Sequence, residues 1–360
     1  MNYFQRGTLI SEPAQRLSTG YIILTLGVLM AISGGTWDVT NHLLNKPETF
    51  FSPPHAVLYS GAGTAVFGAV LVLSASRAVK KTEWPARLAI AGVTLLLVAG
   101  PVDFWWHSLF GLDGLLSPPH AVLVSGMVTS GIGAMIGIIY AWPRIDNSSS
   151  NRRTLPKALL VLGMLPVWLA AAGSIDMFSL PFSDTGFFHF NPQPWAGAIL
   201  AMLGFPLITA AIMVATFSLA GRKFGVASAL AGTFVFVSAM TSIVPNEALW
   251  PTIPFYVSVM VPLVAVDATL SHWRSKSAIF AAGAIAGLAF FVLYYPLITH
   301  TFNEVVMPDR AVWASLTGII YFEMVQTVFP LVAVPSAAMG ILGAIIGQRM
   351  ATRAELALLK

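Results

Sequence analysis

The chain has 360 residues and a formal net charge of +4; 56% of its residues are hydrophobic and only 9% are charged. A soluble globular domain carries about 25% charged residues, so this composition excludes a surface that faces water throughout. The mean hydropathy of +0.78 therefore predicts an integral membrane protein with lipid around most of its surface. The chain has no cysteine, which excludes disulfides, thiolate metal sites and iron–sulfur clusters.

A membrane-spanning helix needs about 20 apolar residues, and this criterion predicts an all-α bundle. The ten predicted spans are 19–42, 54–76, 86–107, 119–142, 156–178, 195–218, 224–245, 252–272, 277–299 and 324–347. They pair into helical hairpins over about 19–76, 86–142, 156–218, 224–272 and 277–347, in one membrane domain at 19–347 between tails at 1–18 and 348–360. No small-residue cleavage site follows the first apolar run, so we expect a retained span and not a signal peptide.

The last apolar region, 311–346, is too long for one straight span and contains Pro330 and Pro335. We interpret 311–321 as an interfacial or re-entrant piece, with an eleventh span as the alternative. In the ten-span arrangement, 17 of the 19 Lys and Arg residues fall on one side, which the positive-inside rule makes cytoplasmic. We therefore expect a multi-pass plasma-membrane protein with both termini in the cytoplasm. The same asymmetry explains the pI of 9.4 without a nucleic-acid partner.

Two copies of one motif lie 65 residues apart, each across the outer end of a predicted hairpin. Both copies read Asp-x3-His-x12-His, with Asp38, His42 and His55 in the first and Asp103, His107 and His120 in the second. The heptapeptide Ser-Pro-Pro-His-Ala-Val-Leu is identical at 52–58 and 117–123. Such identity at a fixed spacing indicates internal duplication of a helical hairpin.

The spacing of the motif predicts that its three polar residues converge. An Asp and a His four residues apart lie on one face of a helix, one turn apart. Ser-Pro-Pro favours a helix start, so the last His falls in the first turn of the next helix, opposite the other two. One carboxylate and two imidazoles near the outer membrane boundary suit copper, zinc or non-haem iron. A metal-free Asp–His hydrogen-bond network and a proton relay are the alternatives for the same residues.

Weaker candidates lie further along the chain. The third hairpin retains the carboxylate as Asp176, while Leu180 and Gln193 occupy the histidine positions and His189 lies nearby out of register. His300 and Glu304, four residues apart after the ninth span, form a possible further metal pair, with an ordinary loop hydrogen bond as the alternative. Glu323 lies within the last apolar segment, where a carboxylate is a functional candidate by default.

The motif resembles the copper site in the C subunit of the particulate methane and ammonia monooxygenase family, an all-helical membrane subunit. The residues that match the family pattern are Asp103, Trp106, His107, Pro118 and His120. The resemblance implies that copper is bound by Asp103, His107 and His120, and that other membrane subunits are partners. The first copy has the same ligand spacing, with Asn41 in place of the Trp. The resemblance covers about 40 of the 360 residues.

Three functions fit these observations. The first is a copper-dependent membrane oxidoreductase, or a subunit of one, that acts on a small substrate with O2. Aromatic residues near the motifs would keep its pocket dry: Trp37, Phe104, Trp105, Trp106 and Phe110. The second is a metal-ion transporter or a metal-delivery or assembly protein, although Asp267 and Glu323 are the sole candidates for polar stations in the inner helix halves. The third is a metal-free accessory subunit of a membrane complex.

Overall fold

The computed structural model confirms the all-α fold. It describes residues 13–44, 46, 49–78, 82–111, 115–141, 154–179, 194–273, 275–295, 299–300 and 327–358. The α-helices of this part are α1 Pro13–Leu43, α2 Pro53–Ser76, α3 Glu83–Phe110, α4 Pro118–Ala141, α5 Thr154–Ser179, α6 Pro194–Leu219, α7 Val226–Ser238, α8 Ile253–Ser258, α9 Met260–His272, α10 Lys276–Ala289 and α11 Phe329–Leu358. Helix α7 continues into a π-helical segment, Ala239–Ile243, and α10 into another, Phe290–Tyr294. A 3-10 helix, Glu247–Thr252, precedes α8.

Ten helical segments within the described residues are long and apolar enough to cross a membrane. Large apolar side chains are exposed on their outer faces, for example Phe67, Val261 and Leu331. A helix that is apolar on its exposed side as well as its buried side is suited to lipid. The chain is therefore a multi-pass membrane protein, as the composition predicts.

Two helix ends differ from the sequence-based boundaries. Helix α1 begins at Pro13, inside the predicted N-terminal tail, and α11 continues to Leu358, well past the predicted end at 347. The extension of α11 remains helical because it is amphipathic, with Ala351 and Ala354 buried and Arg353 exposed. The predicted interfacial piece at 311–321 lies outside the described residues.

Glycine contacts hold the two helices of each motif-bearing hairpin at backbone distance. A Cβ atom on Gly27 of α1 would lie 2.3 Å from the backbone nitrogen of Ala65 in α2, and one on Gly61 would lie 2.3–2.8 Å from α1 backbone atoms. The second hairpin repeats this contact 65 residues later, where Gly92 of α3 meets Gly126 of α4. The duplication thus includes the packing of the hairpin as well as its polar residues.

The hairpins pack side by side. Helix α1 contacts α2, α4 and α5, and α2 also contacts α3. The rest of the bundle surrounds an aromatic core in which Trp168 of α5 stacks on Phe234 of α7 at 4.5 Å between ring centroids. Helix α11 packs against α6 and α10 in this part of the bundle. The motif-bearing ends of α1 to α4 therefore meet beside α5 and α7.

The buried carboxylate of Asp267 in α9 has a structural role. Its Oδ2 atom accepts hydrogen bonds from the backbone nitrogens of Gly225 and Ser228, each at 2.9 Å, and from the Ser228 hydroxyl at 2.8 Å. These donors lie at the start of α7, where backbone N–H groups lack partners within the helix. Asp267 therefore caps α7 from a neighbouring helix.

We expect Gly27→Ala to lower the stability of the protein by about 1–3 kcal/mol, because the added methyl group overlaps the backbone of α2. Thermal unfolding in detergent, followed by tryptophan fluorescence, measures the change. Gly63→Ala in α2 is the matched control, since a Cβ atom there has nothing within 4 Å. Equal unfolding temperatures for the two variants would contradict the close-packing explanation.

Candidate metal centre

The first motif copy brings its three polar side chains together. Asp38 and His42 lie one turn apart at the end of α1, and His55 lies in the first turn of α2. The Oδ1 atom of Asp38 is 2.8 Å from Nε2 of His55 and 3.7 Å from Nε2 of His42. One ligand atom from each residue lies within 4.8 Å of the others. This group of Asp38, His42 and His55 is the first ligand set.

The second motif copy forms an equivalent arrangement at the end of α3 and the start of α4. The Oδ1 atom of Asp103 is 3.5 Å from Nε2 of His107 and 3.3 Å from Nε2 of His120. The carboxylate again faces both imidazoles. Asp103, His107 and His120 are the second ligand set.

The two ligand sets join into one cluster. His42 of the first set lies within 4.8 Å of His107 and His120, ligand atom to ligand atom. The rings of His42 and His107 meet edge to face, with centroids 5.1 Å apart. All six motif residues line a single cavity of about 240 Å³, the ligand cavity. The sequence spacing predicts convergence within each copy but contains no signal for this joining.

Backbone carbonyl groups orient three of the histidines. The Nδ1 atoms lie at hydrogen-bonding distance from carbonyl oxygens, with His55 2.9 Å from Thr49, His107 3.0 Å from Gly111 and His120 3.1 Å from Leu115. A carbonyl oxygen only accepts hydrogen bonds, so Nδ1 must carry the proton in each ring. With Nδ1 as the donor, Nε2 is the ring atom that faces the carboxylates, where it donates to a carboxylate oxygen when protonated and can bind a metal ion when not.

The carboxylates face these Nε2 atoms at distances that suit a hydrogen bond or a shared ion. The Oδ1 atoms of Asp38 and Asp103 are buried and have no aligned hydrogen bond within the described residues, despite the short contacts to Nε2 atoms. Two donors bound about 2.0–2.1 Å from one ion lie about 2.8 Å apart at a right angle and about 3.3 Å apart at a tetrahedral angle. The separations of 2.8, 3.3 and 3.5 Å lie close to these values, whereas the 3.7 Å between Asp38 and His42 is longer. Asp38, His42 and His55 can therefore hold a metal ion, and so can His42, His107 and His120, which the carboxylate of Asp103 faces.

Aromatic side chains cover one side of the ligand cavity. Phe50, Tyr59 and Phe104 line it, and the Phe50 ring packs 5.0 Å from Tyr59 and 5.4 Å from Phe104 between centroids. Of the aromatic residues predicted to keep the pocket dry, Phe104 lines the cavity although it is 54% exposed, and Trp105 is not among the lining residues. Tyr59 follows His55 by four residues and so shares its helix face, a signal that the sequence analysis missed.

Among the remaining candidates, the two described residues, Asp176 and His300, do not join the cluster. Asp176 lines a neighbouring cavity, and His300 is in neither group of possible metal ligands found in the described residues. His189, Glu304 and Glu323 lie outside the described residues, as do Leu180 and Gln193, so their predicted roles stay predictions.

No protein-family model matches the chain, and no curated protein or solved structure is significantly similar to it. The donor set is consequently the basis for assigning a function. Carboxylate and imidazole donors in a chain without cysteine suit copper, zinc or iron.

We expect His42→Ala to weaken metal binding at both sets, because His42 lies within reach of both, whereas His55→Ala should affect the first set alone. Loss of an outer-shell partner lowers metal affinity by roughly 10–100-fold. Loss of a ligand should lower the affinity of the affected set by at least as much. Equilibrium competition with a chelator, followed by metal analysis, measures the two affinities. Indistinguishable titrations for the two variants would contradict a shared role for His42.

Proposed function

We propose that the chain is a membrane metalloprotein that binds copper at the two joined ligand sets. The observation that carries this proposal is the convergence of two carboxylates and four imidazoles on one cavity. Charged and polar groups within apolar helices are costly to bury, so a cluster of this size requires a compensating partner. A cation bound at each ligand set compensates the carboxylate of that set.

The choice of copper and of redox chemistry comes from the resemblance to the C subunit of the copper membrane monooxygenases. The matching residues Asp103, His107 and His120 are those whose Oδ1 and Nε2 atoms approach within 3.3–3.5 Å. Trp106, the matching aromatic residue, packs against Phe110 at 4.6 Å between ring centroids. These contacts support the proposal because the family pattern then corresponds to one physical site.

The residues around the cluster have separate roles in this proposal. The six motif side chains hold the metal, and the carbonyl groups of Thr49, Gly111 and Leu115 fix the histidine rings. Copper, when bound, supplies one-electron redox chemistry and a binding position for O2. Phe50 and Phe104 restrict the access of water, which favours oxidation of a small substrate over side reactions. The chain would act as a monooxygenase-like oxidoreductase or as a subunit of one, with other membrane subunits as partners.

We further propose a plasma-membrane location with the ligand sets at the outer face. The basic residues Arg77, Arg87, Arg222 and Lys223 lie at the helix ends opposite to the motif-bearing ends, at the end of α2, the start of α3 and the connection from α6 to α7. The positive-inside rule assigns such ends to the cytoplasm. The motifs then open towards the outside.

Metal analysis of the purified, detergent-solubilised protein tests the metal assignment. We expect about two copper ions per chain, one for each ligand set, and their loss in a His42→Ala/His107→Ala double variant. His272→Ala is the control, since His272 lies at the far end of α9, outside the ligand cavity. Absence of bound metal after loading with copper, zinc and iron in turn would refute the proposal and favour a metal-free accessory subunit.

Oxygen consumption by the copper-loaded protein with an added reductant tests the redox role. Copper-dependent consumption that the double variant lacks supports an oxidoreductase. Stable copper binding without oxygen consumption, followed by transfer of the copper to an acceptor protein, would instead indicate metal delivery.

A metal transporter would need polar residues along a path through the inner helix halves. Among the described residues, Asp267 is the candidate for such a position. Because this carboxylate caps α7, we expect Asp267→Ala to destabilise the protein by about 1–2 kcal/mol and to leave the copper content unchanged. Thermal unfolding and metal analysis of the same preparation measure both effects. A stable variant that had lost metal movement across vesicle membranes would instead support a transport path.

A further inference from the structure

A second cavity lies directly beside the ligand cavity. Its volume is about 150 Å³, and most of its lining side chains are apolar residues of α1, α4, α5 and α7. The residues that line both cavities are Gly35, Val39, His120 and Leu123. We call this second space the inner cavity.

One carboxylate, that of Asp176 in α5, lines the inner cavity. Its Oδ1 atom is buried and has no hydrogen-bond partner within the described part of the chain. A carboxylate oxygen in an apolar environment is costly unless a donor or a cation satisfies it. Asp176 therefore marks a position where a ligand that donates hydrogen bonds would be stabilised.

The other polar groups of the inner cavity include three threonines whose hydroxyl hydrogens are already used. Their Oγ1 atoms donate to the carbonyl oxygens four residues earlier, from Thr36 to Ile32 at 2.9 Å, from Thr40 to Thr36 at 2.9 Å and from Thr241 to Val237 at 2.8 Å. Each oxygen has only lone pairs left to offer. With the carboxylate, these groups supply acceptors, beside the hydroxyl groups of Ser238, Ser242, Tyr256 and Tyr294, which can also donate.

The two π-helical segments both contribute to the inner cavity. Ala239–Ile243 supplies Thr241 and Ser242, and Phe290–Tyr294 supplies Tyr294. Such local widenings of a helix occur frequently at functional sites. The next residue, Tyr295, donates a hydrogen bond from its hydroxyl to the carbonyl oxygen of Ser179 at 3.0 Å. This bond fixes the second π-helical segment to the end of α5, one turn beyond Asp176.

We propose that the inner cavity binds a small organic ammonium ion, with the ammonium group on Asp176 and the alkyl body among the apolar side chains. An alkylammonium head has hydrogen-bond donors and no acceptor, which complements the Asp176 carboxylate and the threonine oxygens. Pairing with the carboxylate neutralises both charges, which burial in an apolar environment requires. The site goes beyond the copper function, since Asp176 belongs to neither ligand set.

Binding of n-butylammonium to the full-length, detergent-solubilised protein tests the proposal, with n-butanol as the neutral ligand of similar shape. Isothermal titration is performed at fixed pH on both chelator-treated and copper-loaded protein. We expect n-butylammonium to bind both forms, and Asp176→Asn to weaken this binding by roughly tenfold or more through loss of the buried charge pair. Ser174→Ala is the matched control, because its hydroxyl bonds to Ala170 within α5 and does not line the cavity.

Each other outcome overturns the proposal. Equal affinities of the wild-type protein and Asp176→Asn would show that the carboxylate does not hold the ligand. Equal affinities for n-butylammonium and n-butanol would show that the cavity selects shape and not charge. Binding that requires copper and is lost in the His42→Ala/His107→Ala variant would place the amine on the metal. The copper content of Asp176→Asn, measured in parallel, separates failure of this site from failure of the copper assignment.

Discussion

The close contact of glycine-lined helices within each hairpin is the constraint on which the polar cluster depends. Gly27 and Gly61 let α1 and α2 approach at backbone distance, and Gly92 and Gly126 do the same for α3 and α4. In lipid, where apolar side chains gain little from leaving their surroundings, such contacts between small residues are a main source of helix association. Because the axes lie so close together, a residue at the end of one helix can face a residue in the first turn of the next. The Asp and His side chains meet for this reason.

The cluster also places charged and polar groups in an otherwise apolar part of the molecule. Two carboxylates lie at the ends of helices that are apolar on nearly every other face, and four imidazoles lie around them, three of them oriented by backbone carbonyl groups. Polar groups gathered in this way repel one another unless a cation or protons lie between them. The rigid attachment of three rings to loop carbonyls keeps the donors in place before any ion arrives, which lowers the reorganisation that binding would require. In the inner cavity, the buried Oδ1 atom of Asp176 likewise lacks a hydrogen-bond partner within the described residues.

Much of this arrangement could be predicted from the sequence. The apolar runs predict the ten spans, and the Asp-x3-His-x12-His spacing predicts that three residues of one hairpin share a site, because helix periodicity and a short loop determine both. The joining of the sets through His42 depends on how α1 packs against α4, which spacing within a hairpin does not contain. The cap that Asp267 provides and the cavity around Asp176 likewise arise from contacts between helices distant in sequence. The far end of α11 was missed because an amphipathic continuation has no apolar run to mark it.

The helix contacts between the duplicated hairpins are symmetric, and this symmetry indicates how the duplicated unit arose. Exchanging the two copies converts the contact of α1 with α4 into that of α3 with α2, and both contacts are present. A surface that pairs with its own copy in this way is isologous, the arrangement of a twofold homodimer. The first four helices thus have the form of a dimer whose protomers were fused into one chain. Fusion frees each half to change separately, and the side chains of Asp38 and Asp103 already differ, at 7% and 17% exposed.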